Sequence, residues 1–259
     1  MLIDSHCHLN MLSGGETDDA VANYLASARV AGVQGFLCVC VDMATWPRVY
    51  HIARTFADVV ASVGVHPNHR EDHEPTVAEL AAKAADPKVV AIGETGLDYF
   101  RTEGDVEWQR DRFRRHIAAA KMAGKPLIIH TREARADTLR IMAEEGAREV
   151  GGVMHCFTED WETASAAMDM GFYISFSGIV TFKTAESLRD VAKRMPSDRI
   201  LVETDCPYLA PLPHRGAQNQ PAYVRLVAQR IADERGETLE QVAAYSTANF
   251  ERLFRAGLG

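Results

Sequence analysis

The sequence carries a His-x-His pair close to its beginning, at His6 and His8. Along an extended backbone alternate side chains point to the same face, so both imidazoles would face one side and Cys7 the other. Two neutral imidazoles at this spacing can hold one divalent metal ion. A chain of this length with 10 histidines would produce about 0.4 such pairs by chance. The pair therefore indicates a metal site only if other ligands accompany it.

Further metal-binding side chains lie where other short apolar segments end. They are Glu94, His130, His155 and Asp205. Ionisable groups gathered inside a protein without a cation are costly to desolvate. Their convergence with the His-x-His pair would therefore indicate a metal centre rather than isolated polar residues.

We expect this centre to hold two divalent ions. The first would be bound by His6, His8 and Asp205, the second by His130 and His155, with Glu94 between them as a bridge. Nitrogen and oxygen donors without thiolate fit Mg²⁺, Mn²⁺ or Zn²⁺ and do not select among them. Asp205 is the candidate to orient the attacking water or accept its proton. Glu203 lies on the same face by alternation and is a second catalytic candidate.

Short apolar segments alternate with longer amphipathic ones along the whole chain. The predicted strands are 2–6, 34–41, 59–65, 89–93, 127–130, 152–155, 172–176 and 199–203. The predicted helices are 18–31, 44–57, 75–85, 105–123, 133–145, 160–170, 184–194, 219–235 and 238–256. Gly124 is a predicted helix C-cap, and Pro126 opens the strand that follows.

This alternation predicts an α/β fold, a TIM-type (β/α)₈ barrel with an additional C-terminal helix. About eight strand–helix units in ~250 residues are typical of that barrel. We expect a single domain over residues 1–259. A doubly wound open sheet is the alternative, but no Gly-x-Gly-x-x-Gly motif follows the first strand. The barrel places functional side chains at the C-terminal ends of strands, where the candidate ligands lie.

Composition excludes several other classes of protein. Hydrophobic residues make up 47% and charged residues 25% of the 259, which is ordinary globular usage. No apolar segment is long enough to span a membrane, and the N-terminus does not resemble a signal peptide. Five cysteines at unpatterned spacing indicate a reducing compartment, and we expect a cytoplasmic protein. The net charge of −8 argues against broad electrostatic binding to nucleic acid or membranes.

Six motifs together resemble the TatD family of metal-dependent deoxyribonucleases. They are His6-Cys7-His8, Gly64-Val65-His66-Pro67, Gly93-Glu94-Thr95-Gly96-Leu97-Asp98, His130-Thr131-Arg132, His155-Cys156-Phe157 and Glu203-Thr204-Asp205. The resemblance runs in order from residue 2 to about residue 221. It implies a barrel of the amidohydrolase superfamily that hydrolyses DNA phosphodiesters with divalent metal ions, from a 3′ end.

The resemblance also implies roles for particular residues. The implied metal ligands are His6, His8, Glu94, His130, His155 and Asp205. In many amidohydrolases a modified lysine bridges the metals on the fourth strand, where this sequence has Glu94. This difference favours the TatD family over relatives of the phosphotriesterase type.

Four further residues are candidates for substrate binding. His66 would lie at the rim near a substrate phosphate, and Arg132 would hold a phosphate. Arg215 and Asn219 would contact phosphate or the 3′-terminal sugar of a single-stranded or 3′-ended DNA substrate. TatD relatives often carry a basic residue between these two, whereas this chain has Ala217 and Gln218 there. The departure predicts a lower affinity for a charged polymer or a different substrate.

Two other functions remain open. The same scaffold could hydrolyse another ester, such as that of a D-aminoacyl-tRNA, or the chain could bind metal without catalysis. Asp98, Tyr99 and Arg101 are expected on a loop after Glu94, where they could line the cleft. No obligate protein partner is inferred.

Overall fold

Eight parallel strands, neighbours in chain order, form the sheet in the described part of the chain. The computed structural model describes residues 1–100, 102 and 104–256, so the prediction for Arg101 lies outside the described residues. The strands are β1 (Leu2–Cys7), β2 (Val33–Cys38), β3 (Val59–Val63), β4 (Val89–Asp98), β5 (Leu127–Arg132), β6 (Gly152–Met154), β7 (Phe172–Phe176) and β8 (Ile200–Val202). Each predicted strand is present, and the barrel is confirmed.

Helices connect the strands and surround them. Within the described residues they are α1 (Asp18–Val30), α2 (Trp46–Thr55), α3 (Val77–Lys83), α4 (Glu107–Ala123), α5 (Arg135–Glu144), α6 (Trp161–Asp169), α7 (Glu186–Arg194), α8 (Val224–Arg235) and α9 (Leu239–Phe254). Gly124 ends α4 in the left-handed conformation, as predicted. No helix in the described ranges is long and apolar enough to cross a bilayer.

Two backbone hydrogen bonds join β1 to the segment that follows β8 and bring the first and last strands together. The amide of Asp205 donates to the carbonyl of His6 at 2.9 Å, and the amide of His8 donates to the carbonyl of Cys206 at 2.9 Å. These bonds lie at the C-terminal ends of the strands. They therefore fix the metal-ligand candidates of the two segments relative to one another.

Strand β4 departs from the sequence prediction. It continues to Asp98 instead of ending at Gly93, and it pairs with β5 through Asp98 and Arg132. Asp98 is therefore a strand residue with its side chain in the barrel mouth, not a loop residue. Gly93 and Gly96 both lie inside this strand with positive φ.

Alternation divides the apolar core into two layers. Leu2 faces the surrounding helices, whereas Ile3 belongs to a cluster inside the barrel. Phe250 and Phe254 of α9 belong to that inner cluster as well. The C-terminal helix therefore packs against the barrel interior, and the side chains of its buried face complete the core beneath the site.

Helix α4 fixes the loop that follows β3. Arg112, buried within the helix, donates hydrogen bonds to the carbonyls of His66 and His69 and pairs with the carboxylate of Glu74. One turn further, His116 Nε2 accepts a hydrogen bond from the amide of Val65 at 3.0 Å. The loop that carries His66 is thereby held by a buried cation and a buried imidazole.

Gly96 allows β4 and β5 to approach closely at the site. Its φ is +130°, and a Cβ there would lie 2.0 Å from the carbonyl oxygen of His130. We expect Gly96→Ala to destabilise the protein by about 3 kcal/mol or more. Thermal denaturation would measure this loss. Gly124→Ala is the control, because it also has a positive φ, +62°, but meets nothing within 4 Å; an equal loss in both variants would contradict the packing argument.

His116 should make stability depend on pH. Burial lowers its pKa from 6.5 to about 4. The neutral ring donates from Nδ1 to the carbonyl of Arg112 and accepts at Nε2 from the amide of Val65. Between pH 6.5 and pH 4 the imidazole is protonated in the unfolded chain but not in the folded one. The stabilisation that is present above pH 6.5 is therefore lost as the pH falls towards 4.

We expect the free energy of unfolding of the wild type to fall by about 2 kcal/mol more than that of His116→Gln between pH 7 and pH 4.5. Glutamine can accept and donate the same bonds but does not titrate in this range. Denaturant unfolding in the presence of a chelator would measure both slopes. Equal slopes would show that His116 does not carry the effect.

Candidate active site

The first ligand group consists of His6, His8, Asp205 and one oxygen of Glu94. The Nε2 atoms of His6 and His8 lie 3.3 Å apart. Asp205 Oδ1 lies 3.7 Å from His6 Nε2 and 3.3 Å from His8 Nε2. Glu94 Oε2 lies 3.3 Å from His6 Nε2 and 3.9 Å from His8 Nε2. These atoms come from the C-terminal end of β1, from the segment that follows β8, and from the middle of β4.

The second ligand group consists of His130, His155 and the other oxygen of Glu94. Glu94 Oε1 lies 3.2 Å from His130 Nδ1 and 2.8 Å from His155 Nε2. The two imidazole nitrogens lie 3.4 Å apart. The rings of His6 and His155 stack at a centroid distance of 3.9 Å, so the two groups are in direct contact.

These spacings fit metal coordination. Ligands at the ~2.1 Å of a zinc–nitrogen or zinc–oxygen bond lie about 3.4 Å apart at the corners of a tetrahedron. Glu94 directs Oε2 to the first group and Oε1 to the second, which is the geometry that a bridging carboxylate needs. The structure thus brings together all six residues that the sequence singled out as ligands, and their division between two ions stays a prediction.

Hydrogen bonds behind three of the rings determine which nitrogen faces the centre. His8 Nδ1 donates to the carbonyl of Val39 at 2.9 Å, and His155 Nδ1 donates to Glu203 Oε1 at 3.2 Å. His130 is turned the other way and donates from Nε2 to Asp98 Oδ2 at 3.2 Å. Each ring therefore keeps its proton outside the centre and presents a lone pair to a metal ion.

His66 differs from the other histidines of the site. Its Nδ1 accepts a hydrogen bond from the amide of Asn68 at 3.0 Å, so the neutral ring carries its proton on Nε2. Burial lowers the pKa of His66 to about 3, which keeps the ring neutral. Nε2 lies 3.4 Å from Glu94 Oε1. His66 is therefore a hydrogen-bond donor facing the centre, in agreement with a role towards substrate oxygens and not with metal ligation.

The site is electrostatically unusual for a protein interior. Burial alone would raise the pKa of Glu94, but the neighbouring His155, when charged, holds it well below its usual range. Burial likewise opposes charge on His155, yet Glu94 and Glu203 raise the pKa of that ring well above its usual value. Asp205 is also held in its charged form, chiefly by His8 against the effect of burial. The buried carboxylates therefore require positive charge beside them, which a proton on an imidazole or a bound metal ion can supply.

Glu203 lies behind the ring of His155. It is fully buried, and its Oε1 accepts hydrogen bonds from His155 Nδ1 and from the amide of Cys156 at 2.8 Å. The residues that line the cleft do not include it. These contacts give Glu203 a positioning role behind His155, and its catalytic role stays a prediction. Asp205, in contrast, lines the cleft.

The centre lies at the bottom of a cleft of about 790 Å³ at the C-terminal ends of the strands. Its lining includes Arg132, whose guanidinium carbon lies 3.7 Å from the centroid of the Phe100 ring. Arg215 lies on the surface against Phe182 at 3.8 Å and is not among the lining residues. The first arginine is thus placed to meet a substrate in the cleft, whereas the second lies outside it.

Asn219 and Gln218 fasten the loop after β8 and do not offer their amides to a ligand. Asn219 is completely buried and donates from Nδ2 to the carbonyls of Thr204 and Tyr208 at 2.8 and 2.6 Å. Both donor positions of this amide are therefore used inside the protein, and its contact with phosphate or sugar stays a prediction. Gln218 Oε1 accepts hydrogen bonds from the amide and hydroxyl of Ser13. The position where relatives often have a basic residue serves here to hold a loop.

Asp98 lines the cleft as predicted, but the hydrogen bonds that Asp98 and Asn68 make were not predicted from the sequence. Asp98 orients His130, and Asn68 fixes His66 while its Nδ2 donates to Asp98 Oδ2 at 2.7 Å. The spacing Glu94, Gly96, Asp98 would have placed Asp98 on the ligand face if the strand had been extended through the glycines. For Asn68 we find no comparable signal in the sequence.

A (β/α)₈ barrel that gathers histidines and carboxylates at the C-terminal ends of its strands defines a class of metal-dependent hydrolases. Comparison with known proteins places the chain within it. The family described as TatD related DNase matches residues 3–255, and the chain belongs to that family. It is a metal-dependent hydrolase of the TatD family, as the sequence motifs predicted.

Relatives and a solved structure resemble the chain over nearly its whole length. An Escherichia coli K12 protein described as the uncharacterized metal-dependent hydrolase YcfH is 49% identical over 253 residues, 98% of this chain and 95% of the relative. The 3′-5′ ssDNA/RNA exonuclease TatD of Edwardsiella piscicida is 31% identical over 252 residues, 94% of this chain and 96% of that protein. The crystal structure of YjjV, a TatD homologue from Escherichia coli K12, superposes with a TM-score of 0.89 at 26% identity and 98% coverage of each chain.

The positioning role of Glu203 predicts a loss of metal affinity when its carboxylate is removed. We expect Glu203→Ala to weaken metal binding by about 10- to 100-fold, because His155 loses the acceptor that fixes its ring. Glu203→Gln keeps an acceptor oxygen and should lose less. Isothermal titration calorimetry with Mn²⁺ and Zn²⁺ would measure the affinities, with exposed Glu240→Ala as the control. Unchanged affinity in Glu203→Ala together with a lower kcat would contradict the positioning role and restore the catalytic one.

Proposed function

We propose that this protein is a 3′-5′ exodeoxyribonuclease that hydrolyses phosphodiester bonds with two divalent metal ions. The observation that carries the proposal is the single carboxylate of Glu94, whose two oxygens face two separate groups of ligands at the bottom of one cleft. Paired ions about 3.5–4 Å apart are typical of enzymes that cleave phosphoryl bonds. Named by their ligand groups, the first ion would be held by His6, His8, Glu94 and Asp205 and the second by Glu94, His130 and His155.

When bound, the ions supply positive charge and Lewis acidity at the scissile phosphate. The protein's own groups provide the rest of the chemistry. Asp205 orients the attacking water and accepts its proton as the new bond to phosphorus forms and the bond to the 3′ oxygen of the shortened strand breaks. That oxygen takes its proton from solvent. His66 donates from Nε2 to a phosphate oxygen, and Arg132 pairs with the phosphate of the next nucleotide.

The choice of DNA as substrate and of the 3′ end as the point of attack is supported by two arguments. The relative from Edwardsiella piscicida, 31% identical, is named as a 3′-5′ ssDNA/RNA exonuclease. The net charge of −8 suits an enzyme that captures the end of a strand in a metal-lined cleft and does not bind along the duplex. Affinity should therefore depend on the bound metals more than on salt.

Digestion of labelled oligonucleotides tests the proposal. Single-stranded and duplex 20-mers, labelled at the 3′ or the 5′ end, would be incubated with Mg²⁺, Mn²⁺ or Zn²⁺ and with a chelator. We expect metal-dependent shortening from the 3′ end that the chelator abolishes. Glu94→Ala should reduce the rate about a thousandfold or more, because neither ligand group is complete without it.

Two controls make this result interpretable. Glu240→Ala on the surface of α9 should be as active as the wild type, and circular dichroism should confirm that Glu94→Ala and a second variant, Glu94→Gln, are folded. Mischarged D-aminoacyl-tRNA is the competing substrate. Rapid deacylation with no shortening of DNA would replace the nuclease proposal by an esterase. Metal binding without turnover of either substrate would overturn both.

A further inference from the structure

The mouth of the cleft has two chemically different walls. The apolar wall consists of Met11, Ile179, Tyr208 and Leu209. A polar wall consists of Asn68, His69 and Arg132. The metal-ligand candidates lie between them, so a ligand that reaches the centre has an apolar surface on one side and hydrogen-bond donors on the other.

The order of strands places these walls opposite one another. The apolar wall comes from segments that follow β1, β7 and β8, which are neighbours around the barrel. The polar wall comes from β5 and from the segment after β3. In a barrel of eight strands in chain order, these two sets occupy facing halves of the rim.

Tyr208 is the most exposed member of the apolar wall, and its backbone is firmly held. The residue is 51% exposed to solvent. Its amide donates to the carbonyl of Asp205 at 3.0 Å, and its carbonyl accepts from buried Asn219 at 2.6 Å. The Tyr208 ring meets the His8 ring edge-on at a centroid distance of 6.4 Å. An exposed aromatic ring on a firmly held backbone therefore lies beside the first ligand group.

We propose that Tyr208 stacks against the base of the terminal nucleotide whose phosphodiester bond is cleaved. The inference rests on the proposed nuclease function and specifies its substrate. A base on the apolar wall leaves the scissile phosphate over the metal centre, and the next phosphate then points towards Arg132. Aromatic side chains stack on every base, so this contact selects an unpaired end and not a sequence.

The size of the cleft agrees with this occupant. A volume of about 790 Å³ lies within the range of pockets for small ligands, which is about 300–1,000 Å³. Such a space is large enough for a terminal nucleotide. A paired base must leave its partner before its face reaches Tyr208. The enzyme therefore selects single-stranded or frayed 3′ ends.

An oligonucleotide that lacks the terminal base separates stacking from a merely structural role. The test compares single-stranded 12-mers that end in deoxyadenosine or in an abasic tetrahydrofuran residue. The variants are Tyr208→Ala, Tyr208→Phe and, as the control, Leu212→Ala, an exposed apolar residue of the same loop outside the cleft. Steady-state kinetics under the metal that supports digestion give kcat and KM for each pair.

For the adenosine-ended strand we expect Tyr208→Ala to lower kcat/KM by about 10- to 100-fold, since stacking on one aromatic ring has about this value. Tyr208→Phe and Leu212→Ala should stay within about twofold of the wild type. For the abasic strand, the wild type should be slow and Tyr208→Ala equally slow.

Three results would contradict the stacking inference or the nuclease proposal. An equal loss on both strands in Tyr208→Ala would show that the ring acts only through the fold, and no loss on either would show that it does not contact the base. Both outcomes overturn the inference and leave the nuclease proposal standing. Failure of the wild type to cleave either strand would instead overturn the nuclease proposal itself.

Discussion

The structure is organised around the buried carboxylate of Glu94. Its two oxygens lie between 2.8 and 3.9 Å from the nearest nitrogens of five histidines, carried by segments from four other parts of the barrel. Removing such a group from water is costly unless its charge is fully matched. The barrel meets this requirement by closing β1 against β8 and by drawing β4 and β5 together at Gly96. Metal ions between these groups would convert a costly cluster into a stable one.

The second feature of the site is that hydrogen bonds hold three of its imidazole rings on the side that faces away from the centre. A backbone carbonyl holds His8, Asp98 holds His130 and Glu203 holds His155. Each partner lies on a different strand or strand end, so the rings keep their orientation only while the barrel is intact. Ligands held in this way lose little conformational freedom when an ion binds, which favours affinity and a defined geometry.

Much of this arrangement could be predicted from the sequence, because the chemistry lies where regular elements end. Alternation at His6 and His8 and the strand ends at His130 and His155 predicted both ligand groups and the barrel that joins them. The roles of Glu203 and Asn219 could not be predicted, since both depend on contacts across loops. Tyr208 also escaped notice, because the exposure of a ring at a cleft is decided by the packing of distant segments. Asp98 was misplaced because the predicted strand ended at residue 93, whereas β4 continues to Asp98.

The packing of α9 into the barrel has a consequence for biosynthesis. Phe250 and Phe254 cover the interior layer formed by residues such as Ile3 and Val90, and a ribosome makes them after all eight strands. A nascent chain shorter than about residue 254 leaves that layer open to water. We expect such a chain to lack the rigid rim that its imidazoles need, so that the metal-ligand candidates come together only after α9 has been made.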